Sequence, residues 1–170
     1  MFDRLLELLI GWWDTLKVFE VLMPYEKGVR VRWGQYHSEV GPGVVWKWSL
    51  ADDILRDNVV PTTTPLHEQT LTTADGVTCV VRGIVRWRIN NVRRLLLEVE
   101  DADGAIIDVC HGAITDNVIN NDWDYICSDT FMADVAVACR LDAWKYGVEI
   151  QDVKFVDMVK LRAYRLIGER

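Results

Sequence analysis

Residues 24–48 read PYEKGVRVRWGQYHSEVGPGVVWKW, and the reading of the whole chain starts there. Over Gly28–Trp33, Val29, Val31 and Trp33 alternate with Arg30 and Arg32, the two-residue period of a half-buried strand. Gly43–Trp48 reads as a second short strand, with a polar, glycine-bearing loop between the two. In Gly41-Pro42-Gly43 the proline fixes its own φ and the glycines accept angles other residues resist, so a turn is expected. The residues before Pro24 read as an attachment segment, and those after Trp48 as the body it attaches.

Working backwards, residues 2–23 predict an amphipathic helix. At 100° per residue Phe2, Leu5, Leu6, Leu9, Ile10, Trp13 and Leu16 gather on one face, opposite Asp3, Arg4, Glu7, Gly11 and Asp14. A bilayer crossing is disfavoured, because Asp14 and Lys17 would each cost about 2.5–3.5 kcal/mol at a helix centre. A helix lying in the membrane plane suits those charges better, with Trp12 and Trp13 at headgroup level. Packing of the same stripe against a neighbouring subunit is the alternative, and the acidic polar face favours it.

Working forwards, prolines at both ends of Pro61-Thr62-Thr63-Thr64-Pro65 suggest an extended edge or a connection. Leu66–Thr73 reads as a strand, Ala74-Asp75-Gly76 as its turn, and Val77–Ile89 as the clearest strand in the chain. There Val77, Cys79, Val81, Val85, Trp87 and Ile89 share one face. Arg82, Arg86 and Arg88 lie on the other, facing water, an acidic partner or a lipid headgroup. Asn90-Asn91 suits a cap for a helix over Val92–Val99. A second helix starts near Ala105, with acidic residues at its positive end and Ile106, Ile107, Cys110, Ala113, Ile114 and Val118 buried. A longer helix over Trp123–Tyr146 would bury Met132, Val135, Ala136, Cys139, Ala143 and Tyr146, and Gly147 ends it. Val148, Ile150, Val153 and Phe155 predict a last strand, bulged where the alternation slips, before a helix from Met158.

The expected architecture is therefore α+β: a mainly antiparallel sheet with helices packed on one face, an N-terminal amphipathic helix before it and a short C-terminal helix after it. The segments are 1–23 for the contact helix, 24–157 for one folded domain, and 158–170 for the start of the last helix.

Composition narrows the function. A net charge of −7 over 170 residues argues against a nucleic-acid surface, which needs clustered Lys and Arg. The four cysteines show no zinc spacing and read as reduced, packed thiols, which favours a cytoplasmic-side location. His37, His67 and His111 stand in separate segments, and the GPG turn lacks the lysine of a phosphate loop. Asp101, Asp103 and Asp108 read as capping and solvated charges. No catalytic, cofactor-binding or metal-ligating residue is assigned, and the chain is not read as an enzyme. Eight tryptophans exceed ordinary usage without a functional reason.

Several of these stretches resemble the SPFH (band 7) family of stomatin, prohibitin and flotillin. Pro24, Gly28, Val29, Arg32, Gly34, Gly41, Pro42, Gly43 and Trp46 match the family's opening motif. Residues 69–76 are similar to its "Q-x-x-x-T-x-D-G" run, and residues 81–89 to the strand after it. Residues 143–150 resemble its "A-x-x-x-G-I-x-I" segment, and Asp157-Met158 with Arg162–Arg165 its exit into a long helix. The resemblance implies a non-enzymatic scaffold held to membrane lipid by an N-terminal element. It also implies self-assembly into rings or cages and the organising of partner proteins, membrane proteases among them. The family's arginine-rich stretch is missing here, where residues 128–134 read SDTFMAD. A soluble ring or shell subunit whose N-terminal helix makes subunit contacts is the alternative.

Overall fold

A computed structural model describes residues 18–161. They fall into two compact units, one of residues up to Val60 with Ile89–Glu100, the other of Pro61–Arg88 with Asp101 onward.

The first unit holds β1 (Phe19–Leu22), β2 (Glu26–Arg32), β3 (Gln35–Val40), β4 (Gly43–Trp46), β5 (Asp52–Asn58) and α1 (Val92–Glu98). β1 and β4 form an antiparallel ribbon, and β2 lies between β3 and β5 in an antiparallel sheet. Gly28 lets β5 come close, because a Cβ there would stand 2.5 Å from the Leu55 carbonyl oxygen. α1 packs on β2 and β5 through Val92 and Leu95, and Asn91 caps it by accepting from the Arg94 N–H, as expected.

Two expectations change in this unit, and one strand, β5, stands where none was expected. The helix over residues 2–23 gives way at its end, where Phe19–Leu22 is strand. Phe-Glu-Val-Leu alternates at period two as readily as it extends a helical stripe, and pairing with β4 decides the matter. The loop expected after Trp33 contains β3, and the segment after Leu50 contains β5. Both strands are mostly polar, and their few apolar residues, Tyr36 and Val40 in one and Ile54-Leu55 in the other, do not alternate at period two over the strand. Residues 2–17 of the expected helix lie outside the described residues.

The second unit holds β6 (Thr62–Pro65), β7 (Gln69–Thr72), β8 (Thr78–Ile89, whose last residue belongs to the first unit), β9 (Val148–Lys160), α2 (Ala102–Ile119), α3 (Trp123–Ile126) and α4 (Asp129–Ala143), with a 3-10 turn at Trp144–Tyr146. β8 is the spine. β6 pairs its residues 84–87 and β7 its residues 78–81, both antiparallel, and β9 pairs it as well. Cys79, Val81, Val85 and Trp87 are buried on one face while Arg82, Arg86 and Arg88 stand exposed on the other. α2 packs on β7, and α4 on α2 and β9. The whole is α+β, with antiparallel sheets and helices packed against them.

The helix expected over Trp123–Tyr146 is broken at Cys127-Ser128, because the Ser128 side chain turns back to accept from the Phe131 N–H and starts α4 afresh. Val135, Ala136, Cys139 and Ala143 of the expected stripe are buried, and its two ends differ. Phe131 is fully buried and stacked on Phe155, with ring centroids 5.6 Å apart, while Met132 and Tyr146 are exposed. α2 begins at Ala102, three residues early, because Asp101 caps it through the Gly104 N–H. The final strand also outruns its expected end. Met158–Lys160 is strand, not helix, and the next N–H, that of Leu161, donates to the Thr78 carbonyl at 2.8 Å. Residues 162–170 of the expected C-terminal helix lie outside the described residues.

Candidate functional site

The site stands on the β1–β4 ribbon of the first unit. Phe19 lies opposite Trp46 and Val21 opposite Val44 in the register, so the four side chains share one face. All four are exposed: Phe19 by 60 %, Val21 by 50 %, Val44 by 72 % and Trp46 by 63 %. The reverse face carries the polar ties and the anchor. Leu22 is buried there, and Glu20 holds Lys47 at 2.9 Å and Arg56 at 3.7 Å. The ladder runs one step past the ribbon, because the Lys47 N–H donates to the Val18 carbonyl at 2.8 Å. Trp48, two residues beyond Trp46, is exposed as well.

Two loops of the same unit carry further exposed apolar residues. The β2–β3 hairpin closes on Trp33 and Gly34, both with positive φ, and the chain from Trp48 to Ala51 bends so that Ala51 and Asp52 both donate to the Trp48 carbonyl. The loops are bound together, since the Trp33 N–H donates to the Ala51 carbonyl at 2.9 Å. Trp33, Trp48 and Leu50 project from them, with Leu50 exposed by 88 %.

Asp52 is the hub beneath. Its buried carboxylate accepts Arg32 Nε at 2.6 Å and a second guanidinium nitrogen at 3.0 Å, and the Trp48 N–H at 3.1 Å. The Arg32 bond, together with the Trp48 N–H, holds the carboxyl well below the usual range against the opposing effect of burial. Arg32 is shifted up in return and lies over the Trp48 ring at 6.0 Å. A bidentate ion pair thus fixes two hydrophobic loops that would gain nothing from folding alone.

Exposed apolar patches of this kind mark interaction surfaces. The contact residues expected from the sequence, Phe2, Leu5, Leu6, Leu9, Ile10, Trp12, Trp13 and Leu16, lie outside the described residues. Sequence reasoning misses Phe19, Val21, Trp33, Val44, Trp46, Trp48 and Leu50 as a surface. The signal that could find it is the period-two row Val44, Trp46, Trp48 together with the tryptophan surplus, four of whose members, Trp33, Trp46, Trp48 and Trp144, prove exposed.

The candidates for chemistry are placed differently. His67 and His111 come within 6.2 Å, ring centre to ring centre, although they are far apart in sequence. No group of three metal-ligating side chains occurs among the described residues. Cys110 is buried, and a side-chain hydrogen bond with Cys139 together with burial pushes its thiol up. Cys79 and Cys139 are buried too, Cys127 is exposed, and none is in a disulfide. Asp101 caps α2 and Asp103 accepts from the Thr64 hydroxyl at 3.1 Å.

The sequence of residues 20–163 matches the SPFH domain / Band 7 family. The chain belongs to that family. As an SPFH domain it is similar to Protein HflK of Haemophilus influenzae, 24% identical over 147 residues, which cover 81% of this chain and 35% of that protein. It is also similar to the protein MJ0827 of Methanocaldococcus jannaschii, 24% identical over 156 residues, covering 88% of this chain and 77% of the relative. The chain thus spans about a third of HflK's length. In this SPFH domain Arg32 holds Asp52, Gly34 completes the hairpin turn and Trp46 stands in the ribbon. No helix among the described residues is long and apolar enough to cross a membrane.

Proposed function

We propose that this SPFH domain is a non-enzymatic, membrane-associated scaffold that assembles with copies of itself and organises membrane or partner proteins, a membrane protease among those the family resemblance implies. The observation that carries the reading is the exposed apolar face of Phe19, Val21, Val44 and Trp46, with Trp33, Trp48 and Leu50 also exposed in the same unit. Aromatic side chains of this size sit well at the membrane–water boundary, and here they are held by polar contacts rather than by burial. Residues 2–16, with their apolar stripe, lead into this surface at Phe19, so both would meet one bilayer from its cytoplasmic side.

The test is flotation of the full chain with neutral and with anionic liposomes, beside a Val44→Ser/Trp46→Ser variant. Both substitutions fall on exposed side chains, so folding should survive. The full chain should float and the variant should lag. A full chain that stays at the bottom of the gradient as a large particle would remove the membrane claim and leave a soluble ring or shell subunit.

A further inference from the structure

The charge of this protein is divided along the chain. Between Glu100 and Cys139 there are nine Asp or Glu and no Lys or Arg, enough to account for the whole net charge of −7. All of that stretch but Glu100 belongs to the second unit and holds its helices. The exposed face of β8, in the same unit, carries Arg82, Arg86 and Arg88. Neighbouring charges are already used: Arg88 pairs with Glu149 at 2.9 Å, and Lys154 with Asp152 at 3.3 Å. Arg82 and Arg86 have no ion pair among the described residues. On the helical side, Lys145 is held by Asp142 at 2.7 Å, while Asp108 and Asp116 on α2 are exposed and unpaired among the described residues.

The two sets also match in spacing. Arg82 and Arg86 lie four residues apart on one side of a strand, about 13 Å. Asp108 and Asp116 lie eight residues apart on a helix, about 12 Å. Midway between the arginines stands the half-buried Ile84; midway between the aspartates stands Gly112, where a Cβ would meet no atom within 4 Å. The β8 face is hollowed at Ile84, which lines a shallow pocket with Thr63 and Arg86, and the helix face is open at Gly112, so no side chain stands between the two charged pairs as they approach.

We infer that the Arg82–Ile84–Arg86 face of β8 docks on the Asp108–Gly112–Asp116 face of α2 in a second copy of this chain. The contact joins two different surfaces, so it repeats head to tail and builds a ring or an open row rather than a two-fold dimer. It rests on the self-assembly in the proposed function and names the surface that performs it. It owes nothing to residues 2–16 or to the apolar ribbon.

The test uses the full chain in sedimentation velocity, with and without liposomes, at low and high salt. The wild-type chain should form particles larger than a monomer that dissociate as salt rises. Arg82→Glu/Arg86→Glu and Asp108→Lys/Asp116→Lys should each sediment as monomers with unchanged thermal melts, since all four side chains are exposed. An equimolar mixture of the two should reassemble, because each variant then presents the charge the other lacks. Gly112→Leu, with every charge kept, should also block assembly by filling the gap, and a helix interior tolerates the change. Either charge variant keeping wild-type particle size, or a mixture that stays monomeric, would overturn the docking surface while leaving self-assembly intact. A wild-type chain that is monomeric under every condition would sink both.

Discussion

Replacing Trp33 with asparagine should strengthen the fold and weaken membrane binding in the same molecule. Trp33 holds φ at 51° and Gly34 at 76°, as the two central residues of the hairpin between Arg32 and Gln35. A left-handed backbone costs a residue with a Cβ roughly 1–2 kcal/mol, and asparagine tolerates it best after glycine. Asn-Gly is also the preferred pair for this two-residue turn. Relief of most of that strain predicts a gain of about 1 kcal/mol, or roughly 2–4 °C in Tm for a chain of this size.

The membrane side of the same change comes from exposure. The Trp33 side chain is 76 % exposed, and an aromatic of this size offers roughly 150–250 Å², so about 150 Å² stands free. At about 25 cal/mol per Å², full insertion contributes roughly 4 kcal/mol and half insertion about 2. Losing the half-inserted ring should lower liposome partitioning by about 30-fold. A thermal melt and a liposome titration on one preparation read both quantities. Ordinary destabilisation moves Tm and binding down together, so a fall in Tm, or partitioning left unchanged, would refute the reasoning.

The broken helix predicts that Phe131→Ala costs about 3–5 kcal/mol in denaturant unfolding, as a fully buried aromatic should, while Met132→Ala stays within about 0.5 kcal/mol, as for an exposed residue. Equal costs would restore the unbroken stripe read from the sequence. Asp52 predicts an acid dependence. Its folded pKa is depressed by Arg32, so the stability it contributes is complete above the unfolded value near pH ~4 and is lost as pH falls through the folded one. Asp52→Asn should be less stable at neutral pH, and its Tm should fall less steeply than the wild type's between about pH 5 and 2.

The sequence displays well whatever one face of one element decides by itself. β8 shows its burial in strict alternation, and the caps at Asn91 and Asp101 stand at the points where apolar periodicity begins. It hides what partners decide. β3 and β5 are polar strands whose existence depends on β2 lying between them, and no window of their own sequence carries that fact. Phe19–Leu22 fits either period until β4 is present. The Cys127-Ser128 break turns on one hydroxyl preferring the Phe131 N–H to a place inside a helix, a competition that hydrophobic spacing ignores. For the site, the tryptophans are visible in the sequence, but their outward direction is not. In Gly28–Trp33 the alternation puts Trp33 on the buried side with Val29, and the turn geometry reverses it.

That reversal bears on why the family motif has its form. Gly28 admits β5 close to β2, and so brings Asp52 opposite Arg32 in the register. Arg32 then holds Asp52, and Asp52 holds the Trp48 N–H, which sets the loop that carries Leu50. Gly34 completes a turn whose other residue is an exposed tryptophan under backbone strain. A protein selected for stability alone would place asparagine there and leave the loops polar. On the function proposed above, the strain and the exposed indole belong together, because contact with an apolar partner would offset the cost of the turn outside the fold. On that reading Gly28, Arg32 and Gly34 of this chain form the polar framework of an apolar contact surface.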